Sequence, residues 1–163
     1  MFEAKIGTNR KDNYRTMVLG ADALMAGETD VIANLANISA LINQYLDDIN
    51  WVGFYILKDT TLVLGPFQGK PACVRIALGK GVCGAAAAEK KVIVVDNVHN
   101  FPGHIACDSA SNSEIVLPIY LSDKVYGVLD VDSPSLSRFG SQERASLEEI
   151  AAKISAFLDS LPQ

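Results

Sequence analysis

The chain has 163 residues, of which 49% are hydrophobic and 20% charged, and carries a formal net charge of −5. That length fits one domain, read here as residues 1–163, able to bury roughly 70% of the surface its unfolded form exposes. With no Lys/Arg cluster beyond the Lys90–Lys91 pair, a nucleic-acid partner is excluded for want of basic surface, and no apolar run is long enough to cross a bilayer. In residues 13–26, Tyr14, Met17, Val18, Ala21, Leu24 and Met25 follow helical spacing, and Gly27 supplies a stop. Thr29 or Asp30 can cap a second helix running to about Asp47, with Val31, Leu35, Ile38, Leu41, Ile42 and Tyr45 on one face. The period then changes. Short β-branched and aromatic runs at 51–57, 61–65 and 73–78 read as strands, followed by a short helix near 84–91. Further strands are predicted at 92–95, 114–121 and 125–132, and a last amphipathic helix at 141–160. Turn chemistry at 58–60 and 122–124 suits hairpins. Helices at both ends of a central antiparallel sheet of about six strands give an α+β fold. The terminal helices cover one face, and loops with the short helix cover a ligand pocket on the other.

Cys107 lies in a turn-rich stretch, residues 96–113, between two apolar strands. Long connections of that kind are usually functional, and a small thiol there fills no core. Cys73 and Cys83 precede it at spacings that match no zinc ribbon, so three thiols suggest sulfur redox chemistry. An odd number of cysteines, with an N-terminus lacking the apolar core of a signal peptide, predicts a reducing, cytoplasmic setting. Alternation along 125–132 puts Tyr126, Val128, Asp130 and Asp132 on one face and Val125, Gly127, Leu129 and Val131 on the other. Glu114 joins the two aspartates if its strand is in register, and Trp51 and Tyr55 share a face of the first strand. Aromatic walls and acidic groups would suit a small molecule with an apolar tail and a cationic amine.

Two other motifs carry less. Residues 79–84 spell GxGxxG, but residues 73–96 are too few for the βαβ unit of about 30 that dinucleotide binding needs. Close helix–sheet packing, with Cys83 partly buried beside the turn, is the plainer reading. His99 and His104 flank the Cys107 loop without the ligand spacing of a zinc site, so no metal is expected; both read first as loop polarity, although one of them could still sit near the thiol.

The segments INWVGFYILKDTTLVLGPFQGKPACVRIALGKGVCG, VVDNVHNFPGHIACDSASNSEIVLPIY and GVLDVDS resemble the free methionine-(R)-sulfoxide reductases, which are stand-alone GAF domains. The resemblance runs from about Tyr14 to Phe157 and includes all three cysteines. It implies reduction of the R epimer of free methionine sulfoxide, with Cys107 as nucleophile, Cys73 closing a disulfide, and Cys83 as a relay or structural thiol. Glu114, Asp130 and Asp132 match the family's acidic residues, and Trp51 and Tyr55 its aromatic wall. Thioredoxin, fed ultimately by NADPH, would recycle the disulfide, with no bound cofactor. The terminal helices could pair two copies into a homodimer. The competing expectation is a ligand-sensing GAF module without catalysis, which would have no need of three thiols so placed.

Overall fold

A computed structural model describes residues 6–105 and 108–162 of the chain; Cys107, the expected nucleophile, lies outside them. Helix α1 (Arg10–Met25) starts where the Asn9 side chain accepts from the Lys11 and Asp12 N–H groups. Helix α2 (Val31–Tyr45) starts where Asp30 accepts from the Ala33 N–H, so of the two expected caps Asp30 takes the role. Strands β1 (Trp51–Lys58), β2 (Thr61–Gly69) and β3 (Arg75–Ala77) follow. Then come helix α3 (Gly81–Glu89), strand β4 (Ile93–Val95) and a 3-10 turn at Val98–Asn100. Strands β5 (Ser113–Leu121) and β6 (Lys124–Ser133) lead into helix α4 (Ser141–Ser160). Helix α3 begins three residues before the expected position 84, because Gly81 rather than Gly84 opens it. No helix among the described residues is long and apolar enough to cross a membrane.

The six strands form one antiparallel sheet in the order β3-β2-β1-β6-β5-β4. Helices α2 and α4 pack on one face, and α1 packs against both. The core on that side joins Val52, Phe54, Ile115, Leu117, Leu129 and Val131 to Leu35, Ile38, Leu147, Ile150 and Ile154 of the helices. On the other face Trp51, Tyr55, Leu62, Val116 and Val128 pack against Val82, Cys83, Ala86 and Ala87 of α3. Period-two alternation thus separates a packed helical side from a side left for a ligand, as the strands predict.

Two irregularities correct the simple alternation. On β6, Ile119 pairs with Gly127 and Tyr120 with Val125, so Tyr126 is an extra residue without a β5 partner. That bulge turns Tyr126 toward the helical core and Val125 toward the opposite one, reversing the expected sides of both. On β2, the register jumps between Phe67 opposite Gly53 and Leu64 opposite Tyr55. Pro66, which cannot donate to a ladder, sits in that irregular stretch.

Candidate active site

Neighbouring strands bring the three acidic residues together. Glu114 on β5 stands opposite Asp132 on β6, and Asp130 stands between Val116 of β5 and Gly53 of β1. All three point away from the helical core, and Glu114 and Asp130 are only 5% and 6% exposed. Cys83, in the first turn of α3, closes over them with its Sγ 4.0 Å from Glu114 Oε1. It is fully buried, not partly buried as the sequence suggests. Gly84 explains how α3 comes so close: a Cβ there would lie 2.4 Å from the Ala77 carbonyl oxygen. The GxGxxG spelling is therefore the geometry of a tight strand-to-helix turn, with Gly79 and Gly81 at positive φ.

Aromatic residues make a second wall. Trp51 stacks on Tyr55 with ring centroids 5.9 Å apart, and on Phe67 at 5.3 Å. Gly53 makes room for the indole, since a Cβ there would stand 2.3 Å from Phe67 and 2.8 Å from Trp51. The Trp51 indole N–H donates to the Lys70 carbonyl at 3.1 Å, and the Tyr55 hydroxyl donates to the Cys73 carbonyl at 2.9 Å. The stretch between β2 and β3 is thereby tied to both rings. Cys73, half-buried in that stretch, is disulfide-bonded, whereas Cys83 is a free thiol.

The connection from β4 to β5 forms the roof. His104 Nε2 lies 3.7 Å from Glu114 Oε2, so this residue is part of the chamber and not simple loop polarity. His99 instead pairs with Asn112 at 3.0 Å, outside the chamber. Asp108 accepts from the Ala110 N–H at 2.9 Å and from Asn50 Nδ2 at 3.2 Å, and meets Lys70 Nζ at 3.5 Å. Asn50 also donates to Ser111 Oγ at 3.0 Å, stitching the roof to the start of β1. Sequence reasoning did not find Asn50, Lys70, Phe67 or Ser111. Each lies beside the site only through strand pairing or loop closure, and nothing in local spacing marks them.

Electrostatics follow from crowding in a dry space. Burial pushes the Glu114 carboxyl well above its ordinary range, and Asp130 and Asp132 push it further. Burial likewise raises Asp132, and lifts Asp130 to about 6. The Cys83 thiol is raised by burial and by the negative field of Asp130 and Glu114. Asp108 goes the other way, held ionised chiefly by the Ala110 N–H, with help from Asn50 and Lys70. Among the described residues no lysine or arginine pairs with Glu114, Asp130 or Asp132, and Asp130 Oδ1 is buried without a hydrogen-bond partner. Such a chamber can hold a cation or lend a proton.

An antiparallel sheet with helices on one face and a loop-roofed chamber on the other defines a GAF domain, and the family profile described as GAF domain matches residues 28–159. The chain is 52% identical over 150 residues to a free methionine-R-sulfoxide reductase of Escherichia coli (strain K12), covering 92% of this chain and 91% of that protein. It is 42% identical over 154 residues to a protein of the same name from Saccharomyces cerevisiae, covering 90% and 86%. The solved structure of free methionine-R-sulfoxide reductase from Neisseria meningitidis in complex with its substrate superposes with a TM-score of 0.93 at 38% identity, covering 98% of this chain and 96% of that one. This chain belongs to the free methionine-R-sulfoxide reductase family of GAF domains.

Proposed function

We propose that this protein reduces free L-methionine-(R)-sulfoxide to methionine, with Cys107 as the nucleophile. The observation that carries the reading is the buried convergence of Glu114, Asp130 and Asp132 beside an aromatic wall, in a chain of this family. A sulfoxide oxygen leaves only once protonated, so an acid must stand beside it. Crowded carboxyls without a lysine or arginine partner among the described residues keep at least one of the three protonated near neutral pH. A second, ionised, carboxylate holds the substrate ammonium. Trp51, with Tyr55 behind it, receives the methyl group. A residue inside a protein lacks the free ammonium, which gives selectivity for the free amino acid.

The Cys107 thiolate attacks the sulfoxide sulfur while the carboxyl protonates its oxygen. The hydroxyl then passes from the substrate sulfur to Cys107 Sγ as the bond between the two sulfurs breaks. Methionine departs, reduced by two electrons, and Cys107 is left as a sulfenic acid. The Cys73 thiol attacks that sulfur, a disulfide forms and water leaves. Thioredoxin then supplies two electrons through thiol–disulfide exchange, regenerating both thiols. The disulfide-bonded state of Cys73 supports this assignment. The hollow beside Cys83 has a volume of about 20 Å³ and the one beside Trp51 about 10 Å³. One water fills roughly 10–15 Å³ of such space, so binding an amino acid requires the chamber to widen.

The deciding experiment is a coupled assay with thioredoxin, its reductase and NADPH. The free R epimer should be turned over, while the S epimer and a peptide containing methionine sulfoxide should not. Absence of turnover by folded, reduced protein overturns the proposal.

A further inference from the structure

The hollow beneath α3 has the donors, size and charge of a cation site. Cys83 Sγ, a Glu114 carboxylate oxygen and an Asp130 carboxylate oxygen all lie within 4.8 Å of one another, and all three residues are buried. Donors around a tetrahedral zinc ion, at bonds of about 2.0–2.3 Å, stand roughly 3.5 Å apart, so a small contraction would seat an ion. His104 Nε2, 3.7 Å from Glu114 Oε2, lines the same hollow but stands outside that three-residue group. Independently of that cluster, Asp130 Oδ1 is buried without any hydrogen-bond partner, and its residue borders both voids. A buried carboxylate oxygen left bare costs free energy that a cation would recover. The hollow, about 20 Å³, already takes an object the size of one ion. Without widening it is too small for an amino acid.

We propose that this hollow binds one divalent cation of the zinc class, through Cys83, Glu114 and Asp130. A thiolate beside carboxylate donors selects borderline ions such as Zn²⁺ or Cd²⁺ over Mg²⁺ or Ca²⁺, which prefer oxygen alone. On binding, the Cys83 thiol gives its proton to solvent and its sulfur bonds the metal. The donors come from α3, β5 and β6, which is why no run of the sequence shows a metal-ligand spacing. An ion so placed occupies the two carboxylates that the reductase reading gives to the substrate, so metal and sulfoxide would exclude one another. The site itself stands independently of that reading.

The test uses the full chain, reduced, stripped of metal by a chelator, and titrated with Cd²⁺. A thiolate-to-cadmium charge-transfer band should grow to one equivalent, and equilibrium dialysis should return one bound Zn²⁺ per chain. Both should persist in the double variant Cys73→Ser/Cys107→Ser, which keeps only the Cys83 thiol. In that background Cys83→Ser should abolish the band. Near-isosteric Asp130→Asn and Glu114→Gln, each checked for native circular dichroism, should weaken Zn²⁺ binding by about 100-fold or more. Loss of the band or of bound zinc in the double variant overturns the site, as does unaltered affinity in folded Asp130→Asn. None of these readouts uses turnover, so an inactive protein that binds the ion sinks the reductase reading alone.

Discussion

The Tyr55 hydroxyl donates to the backbone carbonyl of Cys73 at 2.9 Å, joining the aromatic wall to the strand-to-strand connection that carries a redox-active candidate. Tyr55 is 1% exposed and lies on β1 with its ring against Trp51. Removing only the hydroxyl, by Tyr55→Phe, keeps the ring and frees the connection. The lost hydrogen bond should cost about 1 kcal/mol of stability, read by denaturant unfolding. Under the proposed reaction the first methionine should form at the normal rate in a rapid-quench experiment, while disulfide closure slows. A variant that closes its disulfide at the normal rate would show that the tether does not position Cys73.

Replacing an acid should separate chemistry from folding. Asp130→Asn and Glu114→Gln keep shape and remove a titratable carboxyl from a crowded, buried site. Each should lower kcat/KM for the free sulfoxide by roughly 100-fold to 10,000-fold if the residue donates the proton or holds the ammonium. Stability should hold or rise, because like charges no longer face each other in a dry space. Assays beside unfolding curves check both, and a fully active Glu114→Gln protein would remove that residue from the proposed machinery.

The architecture was legible because its signals are local. Helical spacing of Leu147, Ile150 and Ile154 and strand alternation of Leu129 and Val131 each report burial on one known face. The acidic triad was legible for the same reason, since Asp130 and Asp132 sit two apart on one strand. Where the register slips, alternation fails, and Tyr126 went to the wrong side because a bulge leaves no mark in a run of β-formers. Which of the two histidines joins the site, and that Asn50 does, is not legible because loop closure, not spacing, brings them in. Cys83 was only half read. The glycines beside it announce a tight turn, but its contact with Glu114 depends on how closely α3 lies on the sheet.

That close approach makes Gly84 a test of the helix placement. An added Cβ would sit 2.4 Å from the Ala77 carbonyl oxygen, a backbone atom that cannot swing aside. Gly84→Ala should therefore push α3 outward and cost about 1–3 kcal/mol by denaturant unfolding. With α3 displaced, Cys83 should lose its burial and react faster with a thiol reagent. Unchanged reactivity together with unchanged stability would mean that α3 does not pack as described.

Far from the chamber, Glu143 anchors both ends of the chain to each other. Its Oε1 accepts from the Tyr14 hydroxyl at 2.8 Å and from Arg138 at 3.0 Å, while Oε2 accepts from the Gly140 N–H at 3.0 Å. Burial alone would raise the carboxyl, yet the Tyr14 and Arg138 bonds outweigh it and hold the carboxyl below its ordinary value of 4.5. Between those two values the unfolded chain binds the proton and the folded one does not, so stability rises with pH through that window. The contribution is complete above pH 4.5 and fades as pH falls through the lowered value. Glu143→Gln should cost about 2 kcal/mol at pH 7, since Arg138 loses one charged partner and keeps the other, Asp47. That cost should shrink as the solution is acidified below pH 4.5, where the native carboxylate is itself being protonated. Paired denaturant curves for native and variant protein at pH 7 and near pH 3.5 measure the convergence. If the gap stays constant across that range, the charge of Glu143 is not what holds α1 to α4.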